Sequence, residues 1–459
     1  MRRLQILTRT SLFLLMVATH ALAGDWIVQL KNPSQANTLS QQFLAQLFDI
    51  HSSDGIYRIK LPSGSLGTML AQMIQASPLV QSIEPDALLT VPKAGSGYTM
   101  PNGSQLAPPV SQAWAAYLGQ SANTEIHIAA AQAKTKGAGV TVAVIDTGVD
   151  PTTPALAARV GPIILGPDFT GNNDPAGTVA QETSPMVDQE TSPMVDQETS
   201  PMVDSAGTVI LDQETSPMVD QETSPMVDQE TSPMVDGLGE AFGHGTMVAG
   251  IINLVAPNST ILSIKAFAND GSASISSIVA ALYYAADHGA NVINASWSTG
   301  TASPQLQKAV DYVTAHKSII VAAVANNGAN TVVYPAGYNN VIGVACTQVT
   351  NGADARCSFS NYGTDVTVGA PGSGITTTFP VYAAGAKKNP VSHGFAMGWG
   401  TSFATPYVAG TVALIESLKW NTNANQAAND VQGGAAPMHG VPGMGAGRLD
   451  VNGAVSQVK

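Results

Sequence analysis

Three short segments of this 459-residue chain carry side chains suited to chemistry. In VAVIDTGVD an apolar run ends on Asp146, followed at once by Thr-Gly. In GHGTMVAG, His244 stands between two glycines at an expected helix start, and in GTSFATPYVAG, Ser402 opens a second expected helix with Pro406 in its first turns. Singly, each has a plain structural explanation. Many α/β proteins end a strand on a carboxylate, because ligands bind at the carboxyl ends of parallel strands. Glycines beside a histidine permit close backbone approach, and a serine at a helix start is usually a cap. Jointly the three supply a hydroxyl to attack an acyl carbon, an imidazole to take its proton and a carboxylate to orient that imidazole.

The flanking elements are those of a parallel sheet. Apolar runs at 140–145, 260–266, 292–296, 319–325, 341–346 and 366–368 read as strands, with helical segments between several of them, such as Ser274 to His288. Ser303 followed by Pro304 is a helix-start signal. Continuous apolar strands alternating with helices predict an α/β domain of three layers, with a mostly parallel central sheet covered on both faces. Gly137-Ala-Gly139 precedes its strand instead of following it, which excludes a dinucleotide site there.

The chain begins with Arg2, Arg3 and Arg9, an apolar run from Ser11 to Ala18, and Ala21-Leu22-Ala23. That pattern predicts a secretory signal; the apolar run is shorter than the ~20 residues a membrane span needs. In an oxidising compartment Cys346 and Cys357 are expected to bridge, although two buried thiols remain an alternative. Residues 25–91 read strand (26–31), helix (37–47), strand (55–61), helix (66–75), strand (86–91), a small α+β domain. A segment rich in Gly, Pro, Ser and Asn, from Pro92 to about Gln112, reads as a linker.

Six copies of QETSPMVD and one divergent SAGTVILD fill Gln181–Asp236, 56 residues with a proline in every QETSPMVD copy. Recurrent proline forbids a continuous helix, and two apolar residues in eight are too few for a solenoid. Disorder is the expectation. Thirteen of the chain's 32 acids lie in this array and none of its 19 Lys and Arg, so the net charge of −13 belongs to the array alone. The remainder is balanced, which gives no footing for nucleic acid. Without the array, Asp146 and His244 are 42 residues apart instead of 98. Lengthening that loop costs about 0.7 kcal/mol of closure entropy, so the array is expected to interrupt a surface loop of a complete domain.

The three motifs together, in the order Asp, His, Ser, resemble those of subtilisin-type serine proteases, from about Gly137 to the C-terminus. The resemblance implies a secreted endopeptidase with Asp146, His244 and Ser402 as its triad. It implies a subtilisin-like fold and a ferredoxin-like propeptide at 25–91 that inhibits its own enzyme. VAAVANNG (321–328) is similar to the family's oxyanion segment, which makes Asn326 the side-chain donor. VINASWS and Gly271-Ser-Ala273 resemble the walls of the substrate groove. Gly271, Ser272, Ala273, Ser296, Trp297, Ser298, Ala323 and Val324 are thereby expected to touch a peptide. YPAGYNNVIGVA, SFSNYG and VGAPG also read like family segments. Departures are Met247 in place of a second His, Ala325 in place of a Gly, and Trp297-Ser298 in place of Leu-Gly. Ala155 stands where many members have a calcium-binding Asp, so that site is not carried over: no cofactor is expected, and calcium is possible but not supported by the sequence. Expected partners are peptide or protein substrates and the chain's own propeptide; no membrane contact after signal removal and a monomer complete the expectation. The rival readings are a secreted binding protein on an inactive scaffold and a lipase or esterase. The latter would usually carry G-x-S-x-G at its nucleophile with acid and His following it, whereas the chain has Gly400-Thr-Ser-Phe-Ala404.

Overall fold

The computed structural model describes residues 21–90, 110–170, 202–203, 209–210, 241–350, 352–380 and 394–459. The expected signal residues up to 20, most of the linker and nearly all of the repeat array lie outside them. Of the array, Met202–Val203 pairs antiparallel with Val209–Ile210. The chain divides into two compact units, one comprising Met1–Leu89 with Ser274–Ala280, the other Thr90–Ala273 with Ala281–Lys459.

In the first unit the order is β1 (Ala21–Leu30), α1 (Ala36–Phe43), β2 (Leu47–His51), β3 (Ile56–Lys60), α2 (Ser65–Gln75) and β4 (Val80–Thr90). Its strands align β4-β1-β3-β2, and β1, β3 and β4 pair antiparallel, with Trp26 opposite Ile59 and Pro85. This is a β-α-β-β-α-β order. The sequence predicts one strand fewer because it runs the first helix through to Leu47. The helix instead stops at Leu44, which has φ 48°. The left-handed region ends helices, and the chain leaves it extended. Val28, Leu30, Leu39, Ile59, Ala71 and Ile74 form the core between sheet and helices.

The second unit holds α3 (Val110–Gly119), β5 (Thr141–Asp146), β6 (Ile163–Asp168), α4 (His244–Val255) and β7 (Thr260–Lys265). After α5 (Ile275–Asp287), of which only the residues from Ala281 belong to this unit, come β8 (Val292–Ala295), α6 (Pro304–Ala315), β9 (Ile319–Ala323), β10 (Val341–Thr350), β11 (Ala353–Arg356) and β12 (Val368–Pro371). A hairpin, β13 (Ile375–Thr378) with β14 (Phe395–Gly398), precedes α7 (Thr401–Leu418). The large sheet runs β11-β10-β9-β8-β5-β7-β6, with β12 also on β10. All its pairings are parallel except β10 with β11. The central strands β5, β8 and β9 are almost wholly buried, as their unbroken Val, Ile and Ala require.

Two helices deserve their apolar sequences. Every residue of α4 except Asn253, and every residue of α7 up to Glu416, is buried. A helix apolar on all sides is one with protein on all sides; α4 and α7 pack on each other, and α7 also lies across β8, β9 and β10. Ser303 caps α6, its hydroxyl accepting from the N–H of Leu306. Cys346 and Cys357 form a disulfide in a cluster with Phe359 and Trp399, and closing so short a loop contributes about 3 kcal/mol on the chain-entropy account. No described helix is long and apolar enough to cross a membrane.

At the end of α7, burial raises the Glu416 carboxyl, opposed by hydrogen bonds from the Thr422 hydroxyl and from the N–H groups of Thr422 and Asn421. A carboxyl raised on folding favours the native state in acid, and that contribution is lost as pH rises through the folded pKa. Glu416→Gln is therefore expected to melt with the parent near pH 4 and above it at pH 8. Calorimetry at the two pH values checks this; a gap that does not widen with pH is the contrary result.

Candidate active site

Asp146 is the last residue of β5, so its carboxylate stands at the carboxyl edge of the parallel sheet. Its carbonyl accepts from the N–H groups of Ala266 and Phe267, which pins the strand end. One carboxylate oxygen accepts from the Thr147 N–H at 2.8 Å and meets His244 Nδ1 at 2.8 Å. Both side chains are fully buried. A carboxylate can only accept, so Nδ1 carries a proton, and in the neutral ring Nε2 then carries the lone pair. That is the tautomer a general base needs.

His244 is the first residue of α4, and the glycines beside it have different reasons. Gly243 has φ 83°, and a Cβ there would meet the Phe379 ring at 2.4 Å. A Cβ on Gly245 would fall 2.1 Å from the carbonyl oxygen of Gly148. The bare backbone of Gly245 instead donates its N–H to the Thr147 hydroxyl at 3.0 Å. Thr147 thus holds both members of the pair, its N–H on Asp146 and its hydroxyl on the residue after His244.

Ser402 is the second residue of α7 and is 1% exposed. The ring of Phe403, its neighbour in the chain, lies edge-on to the His244 ring with centroids 5.7 Å apart. Ser402 Oγ and His244 Nε2 are both buried, and neither makes a hydrogen bond in this structure. Catalytic hydrogen bonds commonly tighten only around substrate. The structure therefore brings the start of α7 against the imidazole, with no hydrogen bond between Ser402 Oγ and His244 Nε2.

Asn326 follows the end of β9 and is 1% exposed. Its side-chain oxygen accepts from the Thr401 N–H at 2.8 Å, which fixes the other end of the amide as the donating one. Ala325, where the sequence departs from glycine, has φ 74°. The departure is thus accommodated in a glycine-like conformation that costs an ordinary residue roughly 1–2 kcal/mol.

The other expected residues are placed as follows. Ser296 donates its hydroxyl to the Ser402 carbonyl at 2.7 Å and receives the Asn294 side-chain N–H at 2.9 Å. The cause is Pro406. Lacking an N–H, it leaves the carbonyl four residues earlier, that of Ser402, without its helical partner, and Ser296 supplies the donor. Trp297 is fully buried, with its indole N–H on the Ile145 carbonyl at 3.1 Å and its ring 6.0 Å from that of Phe267. Ser298 is partly exposed. Ala323 and Val324 are buried at the end of β9. Gly271 has φ 82°, and the carboxylate of Asp270 receives both the N–H (2.8 Å) and the hydroxyl (2.6 Å) of Ser272. Ala273 is buried. Sequence reasoning missed Thr147 and Asn294, because a hydroxyl or amide that serves another residue leaves no pattern of its own. Among the described residues no group of three or more His, Cys, Asp or Glu could hold a metal ion.

The family model for subtilases matches residues 137–433, nearly two thirds of the chain. The chain belongs to the subtilase family. Over 184 residues this subtilase is 41% identical to the thermophilic serine proteinase of Bacillus sp. (strain AK1), a match covering 38% of the chain and 42% of that protein. Over 185 residues it is 39% identical to thermitase of Thermoactinomyces vulgaris, covering 38% of the chain and 61% of thermitase. The chain thus spans about half the length of these relatives. Among solved structures, fervidolysin from Fervidobacterium pennivorans, a keratinolytic enzyme related to subtilisin, superposes with a TM-score of 0.65 at 22% identity, over 95% of this chain and 61% of that one. A protease of Pseudoalteromonas arctica superposes with a TM-score of 0.54 at 22% identity. At that identity the two structures speak for the fold.

Proposed function

We propose that this subtilase is a serine endopeptidase that is secreted as a self-inhibited precursor. The observation carrying the reading is the buried 2.8 Å contact between Asp146 and His244 Nδ1, which leaves Nε2 free to act as the base. Ser402 attacks the scissile carbonyl while His244 takes its proton. His244 then returns the proton to the leaving amine, and water repeats the sequence on the acyl-enzyme. Asn326 and the Ser402 N–H stabilise the oxyanion. The groove accepts an extended peptide along 271–273 and 296–298; with the Trp297 ring turned into the core, that second segment offers mainly backbone. Residues 25–91 act as the inhibitory propeptide, which their β-α-β-β-α-β order supports. The array at 181–236 is an insertion on which hydrolysis does not depend.

A fluorophosphonate tests the reading: the serine oxygen bonds to phosphorus and fluoride leaves. The full chain, incubated until its activity on casein reaches a plateau, is expected to carry the label on Ser402 and to cut casein far faster than a simple ester. A labelled protein that cleaves only the ester points to an esterase. A protein that neither takes the label nor cuts casein is an inactive scaffold.

A further inference from the structure

We infer that Asn361, in the SFSNYG segment, is the positioning residue that sets the oxyanion donor; the inference rests on the reading of Asn326 as that donor. Asn361 lies 35 residues beyond Asn326 and is 1% exposed. It brackets Asn326 in the chain. Its own N–H donates to the carbonyl of Ala325, at 3.0 Å. Its side-chain oxygen accepts from the N–H of Asn327 at 2.9 Å and from that of Ala329 at 3.2 Å. Its side-chain nitrogen faces the Thr331 carbonyl at 3.5 Å. One residue thus holds the peptide groups on both sides of Asn326 and the turn that follows.

The bracket has something to hold. Ala325 has φ 74°, a conformation that a residue with a Cβ keeps only when its surroundings over-determine it. Asn361 grips that residue's carbonyl directly. Beyond Asn326 the tie runs the other way, because its side-chain oxygen takes the N–H of Thr401, one residue before the nucleophile. The donor's main chain is set by Asn361 and its amide by the helix of Ser402.

Asn361 is itself anchored to the sheet. The disulfide joins Cys357 to Cys346 of β10. The Cys357 N–H donates to the Cys346 carbonyl at 3.0 Å. The Ser360 hydroxyl accepts from the Cys346 N–H at 2.9 Å. Arg356 donates to the carbonyls of Cys357, Ser358 and Ser360, and the Gly328 N–H reaches back to Phe359. A continuous set of fixed points therefore runs from β10 through Asn361 to Asn326. A ground-state peptide would feel little of this; the charge that develops on its carbonyl oxygen would.

Deleting an oxyanion donor costs roughly 10²–10³ in turnover, and a misplacement of an ångström costs up to about 10². Asn361→Leu, which keeps the volume and removes every side-chain hydrogen bond, is therefore expected to lower kcat on a peptide amide by about 10- to 100-fold, with KM unchanged. Rates are taken per active site titrated with fluorophosphonate. In an Asn326→Ala background the same change is expected to leave kcat where it is, since the donor it positions is gone. An equal loss in both backgrounds, or a loss lying in KM, makes Asn361 a loop staple and overturns the inference alone. An Asn326→Ala variant with full turnover overturns the oxyanion reading and this inference with it. Where Leu prevents folding, Asn361→Ser carries the test. Its shorter hydroxyl cannot span Asn327 and Ala329, so the same loss, and the same silence beside Asn326→Ala, is expected.

Discussion

Ser402→Ala is expected to lower casein hydrolysis by about 10⁶-fold, the cost of removing the serine of such a triad in this family. The side chain lost is one methylene-borne oxygen, buried and without a hydrogen bond, so the fold has little reason to notice. The backbone of residue 402 is held by other means: the Ser296 hydroxyl on its carbonyl and the Asn326 amide on the preceding N–H. The expected signature is therefore an unchanged melting temperature, no fluorophosphonate label and a residual rate about 10³–10⁴ above water, left by substrate binding and the oxyanion donors. A variant that loses the label but keeps its turnover would place the nucleophile elsewhere. If the chain matures by cutting itself, this variant also stays full length on a denaturing gel.

Asp146→Asn comes next in size, with an expected loss of about 10⁴ in kcat, the scale of losing the triad carboxylate in this family. The local geometry says which part of the carboxylate matters. The Thr147 N–H and His244 Nδ1 meet the same oxygen, so an amide must keep its oxygen there and put its NH₂ on the far side. There the other carboxylate oxygen of Asp146 is buried without a partner, and an amide N–H would be equally unsatisfied. The histidine tautomer thus survives, and what disappears is the negative charge facing the imidazolium formed when Ser402 gives up its proton. Steady-state kinetics on a peptide amide should show the loss in kcat with Nδ1 still protonated by nitrogen-15 NMR. A turnover within tenfold of the parent would reduce Asp146 to a steric support.

The strands of the second unit were legible because burial on both faces demands unbroken apolar runs, and β5, β7, β8 and β9 have them. What escaped had a broken pattern. β6 carries Gly166 and Pro167, β2 is partly exposed along most of its length, and β13 is threonine-rich and short. In the first unit the helix–strand boundary turned on one torsion, at Leu44, which no composition reveals. The candidate triad stood out because each of Asp146, His244 and Ser402 sits in a glycine-marked motif at an element end. Its supports did not. Thr147, Asn294 and Asn361 act through hydrogen bonds to residues up to 98 positions away, and only the folded chain introduces them to one another. Ala325 read as an anomaly; its torsion resolves it.

The proline in the second turn of α7 has a mechanical meaning. Thermal fraying normally opens a helix from its ends, loosening whatever the terminal turns carry. Here the carbonyl that would have faced an intrahelical donor is clasped by a hydroxyl rooted at the end of β8. The first turn of α7 is therefore grafted onto the sheet, and a vibration that bends the helix farther along need not reach the oxygen at its head.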